Sequence, residues 1–235
     1  MTYRINLDDV DVDGAIRENA DAVAGDTRLS FLKKAGVAGV GAMSGGAVLS
    51  ALAPSAFASG NAHGHGRPPA AFGKGDIGIL NYALTLEYLE AAFYNGATAA
   101  NLPLSSQAAA FLKIVTEDEN KHVAFLKKAL GRKAVKSPKF DFKGTNTNAA
   151  MFMATAQVLE NTGVHAYSGQ ALNIKEPAYI KAALSILTIE ARHASVIGLL
   201  NDPTGKEIAP NGPFDTPLTA AKVLAAVKGT GFITG

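Results

Sequence analysis

One short phrase occurs twice in this chain. Leu86-Glu87, followed by Tyr94 and Gly96, is repeated as Leu159-Glu160, followed by Tyr167 and Gly169. Each copy is trailed by Glu-x-x-His: Glu119 with His122, and Glu190 with His193. Glu87 to Glu119 and Glu160 to Glu190 are 32 and 30 residues apart, so both halves carry the same pattern in the same order. Residues three apart on an α-helix project from one face about a turn apart, so each Glu-x-x-His pair can reach one metal ion together. With one inward carboxylate from each of two further helices, Glu87 and Glu160, the set becomes four Glu and two His around a pair of cations in a four-helix bundle.

Charge supports the same reading. Four ionised carboxylates balance two divalent ions, whereas unpaired charges in a bundle core would each cost roughly several kcal/mol. Chance does not account for the pattern. With nine Glu and five His among 235 residues, random placement gives about 0.2 Glu-x-x-His matches. Two matches, each trailing the same longer phrase, exceed that by far.

Cysteine is absent, which excludes disulfides, iron-sulfur clusters and cysteine-held zinc. Any metal must be held by Glu, Asp and His. The 48% apolar content supports a globular fold, and the net charge of +2 points to no class of partner.

The chain reads as three parts. Residues 1–58 are expected to be an export signal: an acidic leader to Asp26, a basic segment Thr27 to Lys34, an uncharged Gly- and Ala-rich run Ala35 to Leu52, and a small-x-small cleavage pattern at Ala56-Phe57-Ala58. The product would be periplasmic or extracellular, or membrane-anchored if the signal is not cleaved. Residues 59–74 read as a Gly/Pro/His linker, and 75–235 as the folded domain.

Apolar residues recur at helical spacing from Gly75 to about Ala99, with Asn95-Gly96 as the stop signal. A second helix is predicted from an N-cap at Ser105 or Ser106 to Gly131. Residues 131–145 are basic and lack helical periodicity. Further helices are predicted from about Thr147 to Gly169, from about Pro177 to Leu200 and, shorter, from Leu218 to Val227. The fold class is therefore all-α, with a long helix 2 to helix 3 crossover between two hairpins, the ferritin-like arrangement.

Over about residues 75–200 the chain resembles ferritin-like di-metal carboxylate proteins. The run Leu80-Asn81-Tyr82-Ala83-Leu84-Thr85-Leu86-Glu87-Tyr88-Leu89-Glu90-Ala91-Ala92-Phe93-Tyr94 is similar to the branch that includes desiccation-related and stress-induced proteins, often exported. The export segment resembles a twin-arginine (Tat) signal, with Leu29 where the second arginine belongs. The resemblance implies that Glu119 and Glu190 bridge the ions, that His122 and His193 each cap one, and that Asp118 supports one histidine. Ile189 takes the corresponding place in the other half, so the two ions would be inequivalent.

Several nearby residues have two readings. Tyr94 and Tyr167 follow Glu87 and Glu160 by two turns and share the inward face; they are read either as redox-active or as packing and hydrogen-bonding groups. Glu90 aligns with Gly163 and His165 with Ala92, so neither shares the two-fold match. Glu90 is expected to be an outer or surface carboxylate, and His165 a hydrogen-bonded flank of the site.

The resulting expectation is an exported protein with two Fe ions, Mn being the alternative, that reacts with O2 or peroxide as a ferroxidase or peroxide scavenger under stress. Two complete Glu-x-x-His motifs favour a bacterioferritin-like site over one resembling manganese catalase. Sustained turnover would need an external electron donor, since the chain has no such module. Iron storage and a non-catalytic stress protein with a structural metal site are the alternatives. No nucleic-acid motif accompanies the basic stretch around Lys127 to Lys143, and a homo-oligomer stays open.

Overall fold

Helix start and stop chemistry sets the architecture. The computed structural model describes residues 66–234; the expected export signal, and the linker as far as residue 65, lie outside the described residues. Five α-helices follow one another: α1 Gly75–Ala100, α2 Ser106–Leu130, α3 Ala149–Gln170, α4 Pro177–Asn201 and α5 Ala220–Thr230. There is no β-strand among the described residues; Phe140 and Ile233 form an isolated bridge.

Ser105 caps α2 by accepting from the Ala108 N–H at 3.2 Å, and Asn148 caps α3 by accepting from the Met151 N–H at 3.0 Å. Pro177 opens α4, and Thr219 caps α5. Each such cap contributes about 1 kcal/mol by giving a free N–H a partner. Gly131, at φ 54°, ends α2 after Lys127 and Lys128, whose charges suit the negative end of the helix dipole.

The helices pair as two hairpins, α1 with α2 and α3 with α4, and the hairpins meet through α1 against α3 and α2 against α4. The crossover from α2 to α3 runs over α1. Asn81 fastens it: its amide donates to the carbonyls of Phe72 and Lys133, and its oxygen accepts from the Val135 N–H at 3.0 Å. The end of the chain then binds the crossover, with Asp141 N–H donating to Phe232 O at 2.8 Å and Thr234 N–H to Lys139 O at 2.9 Å.

Two expectations need correction. Helix α1 runs Gly75–Ala100, in keeping with the expected extent to about Ala99, but its stop signal is Asn101, in the left-handed conformation at φ 49°, and not Asn95-Gly96. Gly96 serves packing instead: a Cβ there would lie 2.2 Å from Nδ2 of Asn146 on the crossover. Its repeat partner Gly169 does the same for another segment, since a Cβ there would lie 1.8 Å from the carbonyl oxygen of Leu218. The repeated glycine thus marks, in each half, a place where another stretch of chain crosses a helix.

The second correction concerns residues 66–74, expected to be linker. They are bound to the bundle. Gly66 O accepts from Gln170 Nε2 at 2.7 Å and from the Ala220 N–H at 2.9 Å, while Phe72 packs edge-on against Tyr82.

The core lies in two clusters. One gathers Phe93, Tyr94, Phe111, Phe142 and Phe152 and extends to α5; the other gathers Leu80, Leu84, Leu126, Tyr167 and Ile186. Between them lies a layer of buried polar residues.

Candidate metal centre

Each of the four long helices sends side chains into that layer. Glu87 comes from α1, Glu119 and His122 from α2, Glu160 from α3, and Glu190 and His193 from α4. The four glutamates are fully buried, His193 is 6% exposed, and the His122 side chain 12%. All six predicted ligands are therefore brought together.

They form two overlapping groups in which each residue can offer one ligand atom within 4.8 Å of the others: Glu87, Glu119, His122 and Glu190, and then Glu119, Glu160 and His193. Both imidazoles face the carboxylates through Nδ1. His122 Nδ1 is 3.1 Å from Glu119, 3.2 Å from Glu87 and 3.4 Å from Glu190. His193 Nδ1 is 3.2 Å from both Glu119 and Glu160.

The grouping differs in one respect from the expected two-fold scheme. Only Glu119 belongs to both groups, and Glu190 keeps company with His122 rather than with His193. The Glu190 carboxylate lies against α3. Gly163 has no side chain, and the Glu190 carboxylate occupies the space: a Cβ on residue 163 would lie 2.3 Å from Glu190 Oε2 and 3.4 Å from Glu90 Oε1.

Glu90 is thus a fifth buried carboxylate, 3% exposed, and not a surface residue. It stands beside the space at Gly163, the residue with which it aligns in the repeat. His165 is also displaced from expectation. It bonds Asp215 at 3.1 Å and Asn211 at 3.2 Å on the outer side of α3, away from the carboxylates, because five residues from Glu160 is about 140° around a helix.

Asp118 does face a histidine. Its Oδ2 lies 3.4 Å from Nε2 of His193, the ring nitrogen turned away from the carboxylates. Such an outer acceptor fixes the tautomer that leaves Nδ1 free to ligate. The two tyrosines bind across the halves: Tyr94 donates to Glu160 and Tyr167 donates to Glu87.

Many buried atoms in this layer lack a hydrogen-bond partner: Oε2 of Glu87, Oε1 of Glu119, Oε2 of Glu160, both oxygens of Glu190, and Nδ1 of His193. Native interiors leave few such atoms. These converge on one place and are all lone-pair donors to a cation, so the donor set fits metal held by carboxylate and imidazole.

The titration behaviour has the same origin. Burial, then the charge of Glu119, pushes the Glu87 carboxyl up to about 8. Burial and the surrounding carboxylates raise Glu90 and Glu190 well above the ordinary range, and burial raises Glu160. Glu119 goes the other way: burial opposes its charge, but His122 and His193 hold it down at about 2. Burial also opposes the imidazolium forms, yet the carboxylates raise His193 to about 11 and raise His122 as well. The pocket demands positive charge, which protons supply and divalent ions would supply by displacing them.

A family model described as a ferritin-like domain matches residues 75–202, more than half of the chain. The chain belongs to the ferritin-like domain family. The ferritin-like match spans α1 to the end of α4 and so contains every residue of the carboxylate layer, while α5 and the residues that tie it to α3 lie beyond it. No curated protein matches the chain.

Proposed function

We propose that this ferritin-like protein holds two metal ions, iron in its resting use with manganese as the alternative, and that the pair reacts with dioxygen or peroxide. The observation that carries the reading is the convergence on one centre of fully buried carboxylate oxygens without a hydrogen-bond partner from all four helices, together with the Nδ1 atoms of His122 and His193. Glu87, Glu119, His122 and Glu190 would hold one ion, and Glu119, Glu160 and His193 the other. When bound, the pair would supply the electrons for reduction of dioxygen or peroxide.

The chain's own residues do the rest. Glu119 is positioned to be shared between the ions. Tyr94 and Tyr167 each fix one oxygen of a terminal carboxylate, leaving the other oxygen for ligation, and both lie close enough to exchange a proton with it. Asp118 orients His193. The apolar cores on either side keep bulk water from the layer.

Export of the domain is part of the proposal, supported by the basic, apolar and small-residue order of residues 27–58. A role in stress or desiccation is supported by the resemblance of residues 80–94 to that branch of the family. A second reading, a stress protein in which the ions only hold the bundle together, is favoured by the complete burial of the four glutamates. Loading the full chain anaerobically with Fe(II) and then adding dioxygen or peroxide separates the two. Oxidation within seconds supports the redox reading; bound but unreactive iron supports the structural one.

A further inference from the structure

The carboxylate layer is flanked unequally. On the Tyr94 side, Phe93, Phe111 and Phe152 surround the phenol ring with centroid distances of 5.2, 6.3 and 6.1 Å. On the Tyr167 side Phe152 is matched by Ile79, but the equivalents of Phe93 and Phe111, and of the neighbouring Leu112, are small. Aligning Glu87 with Glu160 sets Phe93 against Ala166, and aligning Glu119 with Glu190 sets Phe111 and Leu112 against Ala182 and Ala183. These three alanines line a partly open cavity of about 30 Å³ among α1 to α4.

The cavity adjoins the candidate metal layer. Tyr167 is part of its wall and donates to Glu87. Leu86, Leu126 and Ile186, also in the wall, stand respectively next to Glu87, one turn from His122 and one turn from Glu190. Toward solvent, Phe125, Tyr179, Ala182 and Ile186 separate it from an open surface groove of about 650 Å³ that the same four residues line.

Size and lining select the guest. One water needs about 10–15 Å³ by this measure and two to four polar partners. The cavity has room for a diatomic molecule, but its lining offers little to water. Tyr82 supplies the one buried hydroxyl in the wall without a partner. Tyr167 gives its hydroxyl to Glu87, and the Gln170 amide is engaged with Gly66 and Asn173. Peroxide, with two O–H donors, would lose hydrogen bonds to water and regain few.

We propose that this cavity is a binding site for dioxygen, held one side chain away from Glu87. Its use as a store for oxidant rests on the redox reading given above; binding of the gas does not depend on metal. The site selects dioxygen over peroxide as the oxidant delivered along this side of the bundle.

The test is methyl NMR of the full chain under xenon, used as the probe, and then under dioxygen against argon, with metal content measured on the same samples. Xenon is expected to shift the Ala83, Ala166 and Ala183 methyl signals saturably, and dioxygen to broaden the same signals selectively. Ala183→Leu, and separately Ala166→Phe, restore the larger residue of the first half and should abolish both effects; whichever variant folds suffices. In iron-loaded protein these variants should lower the ratio of dioxygen-driven to peroxide-driven oxidation several-fold. Xenon and dioxygen in the cavity of a chain that holds no metal would sink the redox reading and support the gas site. Absence of a saturable effect in the natural sequence, persistence of the effect in the filled variants, or an unchanged oxidant ratio would overturn the proposal.

Discussion

The hydroxyl of Tyr94 on α1 donates to Glu160 on α3, a residue of the other half of the repeat. Tyr167 returns the contact by donating to Glu87, so each copy of the Leu-Glu-x6-Tyr phrase orients the carboxylate of its counterpart. The seven-residue spacing from Glu to Tyr, preserved in both copies, is what sets each phenol opposite the other helix's glutamate.

Tyr94→Phe and Tyr167→Phe each leave one fully buried carboxylate oxygen without its donor. The expected result is a fold that persists, a loss of about 1–3 kcal/mol of stability, and metal affinity lowered about 10–100-fold. Thermal melting of the metal-free variants and competitive metal titration check the two effects separately. An unchanged affinity in both variants would show that the phenols only pack.

Most of the site was legible because its geometry is local. Glu119 with His122, and Glu190 with His193, need only the three-residue step of a helix to share a face. The same step places Glu90 beside Glu87, so its burial could have been read from sequence, and the about 140° from Glu160 could have excluded His165 from the site. The crossing segments at Gly96 and Gly169 were not legible, since their partners Asn146 and Leu218 are distant in sequence and only the folded chain brings them near. The space that the Glu190 carboxylate takes beside Gly163 was not legible either, since glycine has no side chain to signal a role.

Metal-free protein should lose thermal stability as pH rises from about 5 to 8. Glu87, at about 8 in the folded chain, retains a proton there that an unfolded glutamate, ordinarily near 4.5, has lost. His193, at about 11, likewise stays protonated above the ordinary histidine value of 6.5. In this window the folded state binds more protons than the unfolded state, so stability falls with pH. Glu119, at about 2, contributes no slope there because it is ionised in both states. Divalent ions replace these protons, so the loaded protein should show a smaller slope and should release protons on loading. Melting temperature against pH, with and without metal, is the measurement.

Asp118→Asn should weaken one ion more than the other. His193 has the Asp118 carboxylate on its Nε2, and Ile189 occupies the corresponding place in the repeat. An amide turned to donate would favour the wrong tautomer, and a loss of about 10–100-fold in affinity for the ion at His193 is expected. A titration of two resolved steps in which only one moves is the predicted outcome.

Gly163→Ala and Gly169→Ala should separate site from scaffold. The first forces a methyl against the Glu190 carboxylate and should lower metal affinity together with about 1–3 kcal/mol of stability. The second forces a methyl against the Leu218 backbone where α5 docks, and should destabilise the fold to a similar degree while leaving stoichiometry intact.

Glu87, Glu119, His122, Glu160, Glu190 and His193 are proposed to hold a pair of ions with Glu119 common to both. Metal content per chain, measured on the full protein purified without chelators and loaded anaerobically with Fe(II), tests it most directly alongside Glu119→Ala. Two ions per chain are expected in the natural sequence and at most one in the variant. Two ions still bound in Glu119→Ala, or none in the natural sequence, would contradict it.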